Sequence, residues 1–513
     1  MSTSAVNNKR IAKNTLLLYV RMLFTTAVSL YTSRVVLNTL GVVDYGIYNV
    51  VGGVVSMFAF LNSAMVTSTQ RYLTFELGKG NKKKLQEIFT ASIHIHAIIS
   101  VIIILLSETV GLWFFYEKMV IPAERVTAAM WVFQLSIVTM IISVMSVPYN
   151  SAIVAHEKMS AFAMISVVEV ILKLLVVYLL VIGSFDKLIL YAILIACVQL
   201  FIRLIYTRYS HKHFPETRLL RKFDKSLIRE MGAFAGWNIW GNSAAMLMGT
   251  GVNLLLNVFF SPVVNAARGI AVQVETSIEH FSTNFLMAVN PQITKLYAQG
   301  NLKEMHTLLF RASKFTCFLL FALSLPFLLE TETILSWWLK IVPEYTAPFL
   351  RLLLIIIVVN GVSRPLMTSA AATGNVRVYQ SVVGGILLSI VPISYIVLKL
   401  GGNPVSVYVV YLSVMVFAFV VRLGILRNML NLSIREYTNK VVLRCLAVCL
   451  LSYFSMFGIK QAISTNVLNT IVICILSVLT TIVYSYLIGL SSTERDFVRK
   501  KGMNVLRSRF SNK

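Results

Sequence analysis

The chain has 513 residues, of which 57% are hydrophobic and 13% charged, with a formal net charge of +25 and a mean hydropathy of +0.77. These values exclude a water-soluble globular protein and make the lipid bilayer the solvent for most of the chain. Five cysteines without paired spacing exclude a disulfide framework, and neither His94-x-His96 nor His211-x-His213 has a third ligand nearby, so neither metal nor cofactor is expected.

Lys9, Arg10 and Lys13 precede an apolar stretch that is too long for a secretory signal and contains Arg21 and Arg34, so it reads as a first transmembrane helix. Apolar stretches of roughly twenty residues, the length that crosses about 30 Å of hydrocarbon, recur to the end of the chain. They predict spans near 14–38, 46–70, 86–107, 123–147, 160–182, 187–208, 231–259, 264–289, 308–329, 348–370, 380–399, 404–424, 441–459 and 467–489. A transmembrane β-barrel is excluded, because its strands would be about ten residues long and alternate in polarity. The expected fold is an all-α integral membrane protein of about 14 transmembrane helices.

Laying out the spans sorts the charge. With the amino terminus inside, about 33 of the 46 Lys and Arg fall on the cytoplasmic side, about 6 on the other and about 7 within spans, a strong positive-inside bias. Both termini are therefore expected in the cytoplasm. The basic clusters Lys79–Lys84, Arg208–Arg229 and Arg495–Lys513 each adjoin a span, so their expected partner is anionic phospholipid, and nucleic acid is not expected.

The chain also resembles itself. Gly80-Asn81-Lys82-Lys83-Lys84-Leu85 leads to Phe89-Thr90-Ala91-Ser92, and Gly300-Asn301-Leu302-Lys303-Glu304-Met305 leads to Phe310-Arg311-Ala312-Ser313, an offset of about 220 residues. An even number of helices separates the copies, so the halves share one orientation, as in parallel-repeat transporters. The expected organisation is an amino-terminal lobe over 1–208 (spans one to six), a basic linker over 209–229 and a carboxy-terminal lobe over 230–424 (spans seven to twelve). Spans thirteen and fourteen over 425–489 and a basic tail over 490–513 complete it, and substrate is expected between the lobes.

Ionisable groups inside spans cost free energy to keep and mark candidate sites. Asn14, Arg21, Thr25, Ser29 and Thr32 share one sector of the first helix, and Asn238, Asn242, Gly249 and Asn253 share a side of the seventh. In the eighth, Arg268, Glu275 and Glu279 line one face, where arginine suits an anion and a glutamate suits ion coupling. Glu169 and Lys173 are an i,i+4 pair expected to neutralise each other. Arg364 precedes Pro365, which loosens the tenth helix, one turn from Asn360. No G-x-x-x-x-G-K-[ST] occurs and no loop exceeds roughly twenty residues, so neither nucleotide hydrolysis nor enzymatic catalysis is expected.

Four further stretches carry a resemblance: Asn14-Thr15-Leu16 leading into Arg21, the turn from Leu40 to Tyr48, Asn290-Pro291-Gln292-Ile293-Thr294-Lys295, and Ala372-Thr373-Gly374-Asn375. In these and in its helix count the chain resembles the Wzx-type flippases of O-antigen and capsule repeat units. They belong to the multidrug/oligosaccharidyl-lipid/polysaccharide exporter superfamily and share the fold of the MATE exporters. The resemblance implies two six-helix lobes around a cationic cavity that accepts the diphosphate of an undecaprenyl-linked oligosaccharide and releases it outside by alternating access. It implies a monomer in a bacterial inner membrane, serving lipopolysaccharide or capsule biosynthesis.

On this reading Arg21, Thr25, Asn238, Asn242, Arg268 and Arg364 bind substrate, while Glu275, Glu279 and Asp44 are the candidates for coupling to H+ or Na+. Two alternatives stand beside it. A drug or cation antiporter of the same fold would want an apolar, aromatic-lined pocket with an acidic coupling residue. A membrane-embedded polymerase would want a large external loop, and the external loops are short.

Overall fold

The computed structural model describes residues 3–499 apart from 57–58, 118, 120, 181–184, 221–223, 261, 340–341, 463–465, 493 and 497–498. The basic tail from Lys500 onward and the side chain of Arg34 lie outside the described residues. Those described form helices and no strand. In chain order the first nine are α1 (Thr3–Ser56), α2 (Ala59–Lys79), α3 (Lys82–Leu106), α4 (Leu112–Glu117), α5 (Val126–Ala155), α6 (Met159–Leu179), α7 (Lys187–His213), α8 (Lys225–Phe259) and α9 (Pro262–Ala298). The rest are α10 (Leu302–Leu329), α11 (Thr331–Trp338), α12 (Thr346–Ala372), α13 (Arg377–Leu388), α14 (Ile390–Lys399), α15 (Ser406–Leu430), α16 (Ile434–Tyr437), α17 (Leu443–Ala462) and α18 (Val467–Tyr484).

Ten helical stretches among the described residues are long and apolar enough to span a membrane, from Lys82–Glu117 to Val467–Gly489. Parts of α1, α2, α8 and α9 occupy the other expected spans and fall outside that set; α1, α8 and α9 carry the arginine, asparagine and glutamate stripes. The chain is a multi-pass, all-α membrane protein. One junction differs from expectation: instead of a loop over 39–45, helix α1 continues through it, broken only at Gly41 (φ 80°, ψ 168°). That backbone region is open to glycine and closed to most other residues, so a single residue turns the chain where a loop was expected.

By contacts the chain forms two compact units. Unit 1 comprises Met1–Ser243, Met287–Asn301 and Ala371–Ser381; unit 2 comprises Ala244–Leu286, Leu302–Ala370 and Val382–Lys513. In unit 1, α5 packs along α7 and α3, and α1 along α6, burying Leu18, Phe89, Ile153 and Val177 completely. In unit 2, α10 packs against α17 and α18, and α14 against α15, with Leu256, Ala267, Leu350 and Ile390 fully buried. Lipid is as apolar as these side chains, so van der Waals fit and hydrogen bonds hold the helices together rather than expulsion of water. Polar pairs therefore carry much of the specificity of the packing.

Candidate functional site

The polar stripe of α1 faces α6. Arg21 Nη1 donates to Ser166 Oγ at 3.3 Å and its guanidinium stacks 4.8 Å from the Phe162 ring. Glu169, one turn beyond Ser166, accepts from Lys173 at 2.6 Å and from Gln199 Nε2 at 3.1 Å, and it lies within electrostatic reach of Arg21 together with Tyr206. The expected Glu169–Lys173 pair is thus formed, and it extends to α7 through Gln199. The Thr25 hydroxyl is occupied within its own helix by the Met22 carbonyl at 3.1 Å.

A second constellation in unit 1 gathers around Glu157, in the short connector between α5 and α6. Its carboxylate is buried, yet accepts from Lys295 Nζ at 2.6 Å, Gln292 Nε2 at 2.5 Å and Arg10 Nε at 2.8 Å. Its carbonyl accepts from Asn14 Nδ2 at 3.3 Å. Two cations and an amide from α1 and the end of α9 thus converge on one carboxylate, the arrangement that makes a buried charge tolerable. Glu157 itself adopts φ 59°, strained for a residue with a side chain. Sequence reasoning missed it, because His156-Glu157-Lys158 reads as an ordinary solvated turn.

Arg71 is also new. Only 9% exposed, it donates from Nη2 to the Ala372 carbonyl at 3.0 Å and stacks on Tyr72 and Phe75 at 4.5 and 4.7 Å. Gly374 is the residue that lets the guanidinium in: it has φ +82°, and a Cβ there would lie 2.5 Å from Arg71 Nη2.

Unit 2 holds the stripe of α9. Arg268 Nη2 donates to the Gly249 carbonyl at 2.9 Å and Nη1 to Asn253 Oδ1 at 3.3 Å, so the two sequence stripes of α8 and α9 meet. Both acceptors are neutral, and among the described residues Arg268 has no carboxylate partner. Arg364 from α12 pairs with Glu279 and donates from Nη1 to Thr283 Oγ1 at 3.0 Å and Ser282 Oγ at 3.3 Å. Glu275 lies one turn before Glu279, in the field of both Arg268 and Arg364, and accepts no hydrogen bond among the described residues. Tyr408 and Tyr411 of α15 complete its surroundings.

The remaining candidates fall elsewhere. Asn238 is buried, donates to the Phe234 carbonyl at 2.9 Å and accepts from Gln380 Nε2 at 3.0 Å, which ties α8 to α13. Asn242, one turn on, is exposed. Asp44 accepts from Arg125 twice, at 2.8 and 2.6 Å, and Arg125 also reaches Asp186 at 2.5 Å. Asp186 caps α7 by accepting from the backbone of Leu188 and Ile189. Among the five cysteines, Cys197 is exposed on α7, whereas Cys317 and Cys445 are buried.

No family model and no curated protein matches the chain. Its fold is that of solved MATE structures. One in the straight conformation aligns with a TM-score of 0.72 at 13% identity, covering 83% of this chain and 96% of that one. The outward-facing conformation of a multidrug resistance MATE transporter of the MOP superfamily aligns with a TM-score of 0.69 at 14% identity, with the same coverage. A MOP superfamily transporter from Pyrococcus furiosus Vc1, whose binding pocket is described as reversed in polarity, also gives 0.69 at 14% identity, covering 83% and 96%.

Proposed function

We propose that the protein transports an anionic, lipid-linked oligosaccharide across the membrane by alternating access, its diphosphate recognised by arginines within the spans. Arg268 carries this reading. It is a guanidinium inside a transmembrane helix, held by a backbone carbonyl and a side-chain amide and without a carboxylate partner among the described residues. Such a charge is costly in hydrocarbon and suits an anionic ligand, and a planar donor fork matches phosphate oxygens in pairs. Arg21 supplies a second guanidinium at the level of α6. The MATE-like fold supports transport rather than catalysis. The positive-inside charge supports both termini in the cytoplasm.

The experiment is reconstitution of the full chain in proteoliposomes with a fluorescent polyprenyl-diphosphate oligosaccharide, scoring its passage between leaflets. Flipping abolished by Arg268→Ala at unchanged protein level supports the reading; flipping no faster than in protein-free liposomes overturns it.

A second reading, a drug or cation antiporter, draws on Glu275, the one acid of the α9 stripe that accepts no hydrogen bond among the described residues, and on the multidrug function named for one structural neighbour. Efflux of a lipophilic cation that depends on Glu275 and is indifferent to Arg268 would favour it.

A further inference from the structure

Two basic segments far apart in sequence, Lys79–Lys84 and the linker Arg208–Arg229, meet on unit 1. The linker is pinned to α3 by Gln86 Nε2, which donates to the Arg218 carbonyl at 2.9 Å, and by the Leu220 amide, which donates to Thr90 Oγ1 at 3.1 Å. A cavity of about 750 Å³ opens between the first turns of α3 and of α8. Lys83 and Lys225 stand at its rim, and Ala91, Leu220 and Ile228 line its apolar part.

The acids at this cavity are already engaged. Glu87 pairs with Lys84 at 3.5 Å, and Asp224 Oδ1 caps α8, accepting from the Ser226 hydroxyl and the backbone of Ser226 and Leu227 at 2.7 to 3.1 Å. Neither Lys83 nor Lys225 is ion-paired with a carboxylate among the described residues, and three lysines, Lys83, Lys84 and Lys225, stand against the two acids there. From Lys83 to His94 it follows α3 for roughly 16 Å, from the polar start of the helix into its apolar run. A charged rim above an apolar wall, at the start of a helix apolar and long enough to span a membrane, matches an amphiphile rather than a small soluble anion.

We propose that this cavity binds the headgroup of an anionic phospholipid of the cytoplasmic leaflet, its phosphate between Lys83 and Lys225 and its glycerol backbone against Ala91, Leu220 and Ile228. The site lies at the first turn of α8, before the stretch of that helix that carries Asn238 to Asn253.

The test uses the full-length protein in nanodiscs of phosphatidylcholine alone or mixed with phosphatidylglycerol, with retained lipid counted by native mass spectrometry. The wild type retains phosphatidylglycerol over phosphatidylcholine. The double variant Lys83→Gln/Lys225→Gln loses this preference by about tenfold or more, and Lys83→Arg/Lys225→Arg keeps it. If the double Gln variant fails to give monodisperse protein, each single Gln variant carries the test with a smaller loss. Equal retention of the two lipids by the wild type, or undiminished preference in the Gln variants, overturns the proposal. So does displacement of the lipid by inorganic phosphate at millimolar concentration, which would make the ligand a soluble anion.

Discussion

Arg364 pairs with Glu279, whereas Glu275, on the same face of α9 and one turn earlier, accepts no hydrogen bond among the described residues. The two acids are therefore inequivalent. Removing Glu279 takes away the carboxylate bonded to Arg364, at a cost of about 2 kcal/mol or more, whereas Glu275 has no hydrogen-bond partner among the described residues to lose. Glu279→Gln should lower the unfolding temperature of the purified protein. Glu275→Gln should leave it unchanged and abolish the response of transport to an imposed proton or sodium gradient. Similar unfolding temperatures for the two variants would contradict the inequivalence.

Arg268 calls for a different substitution series. A lysine keeps the charge but presents one compact donor group in place of a fork, so it cannot bond Gly249 and Asn253 while also pairing with two phosphate oxygens. Arg268→Lys should retain a minor fraction of lipid-linked oligosaccharide transport and Arg268→Ala essentially none, with membrane levels measured in parallel. Equal rates in Arg268→Lys and wild type would remove the bidentate role.

Glu157 joins electrostatics to backbone strain. Glu157→Gln deletes the charge that Lys295 and Arg10 share and should cost about 3–5 kcal/mol, the range for breaking one side of a buried ion network. Replacement by Ala and by Gly both remove the carboxylate, but only Gly is at ease at φ 59°. Glu157→Gly should thus be more stable than Glu157→Ala by about 1 kcal/mol. Thermal unfolding of the pair checks this, and a more stable Ala variant would mean that the left-handed backbone is not strained.

A pH dependence follows at Asp186, in the connector before α7. Burial raises its pKa, but the Arg125 hydrogen bond and the Leu188 and Ile189 amides outweigh that and hold it below the usual aspartate range. Because the folded value lies below the unfolded one, the ionised carboxylate stabilises the fold at every pH above about 4, and the contribution fades as the pH falls through the folded value. Unfolding temperatures of wild type and Asp186→Asn should differ at neutral pH and converge on acidification. A gap that widened on acidification would contradict the assignment.

The spans were legible because apolar length is a local property of the sequence, and so were the stripes, since one helix fixes which of its residues share a face. Partners were not. Arg364 and Glu279, Asn238 and Gln380, and Glu157 and Lys295 each lie more than eighty residues apart, and only the packing of helices brings them together. The four resembling stretches now have contacts: Asn14 and the Gln292–Lys295 stretch reach Glu157, Asp44 holds Arg125, and Ala372 with Gly374 receives Arg71. Glu157 itself stayed hidden because burial of a charged turn leaves no trace in composition or periodicity.

Arg71 and Gly374 also make a statement about descent. The guanidinium occupies the space that any side chain at position 374 would need, so the two positions are not free to drift separately. Loss of the arginine would relax the steric demand on the glycine while leaving its φ of +82° to disfavour most replacements, whereas loss of the glycine first would also oblige the guanidinium to move from its place. The favoured order of substitution is therefore position 71 before position 374. Among relatives of this chain, a non-glycine residue at 374 should be found only where 71 is no longer arginine.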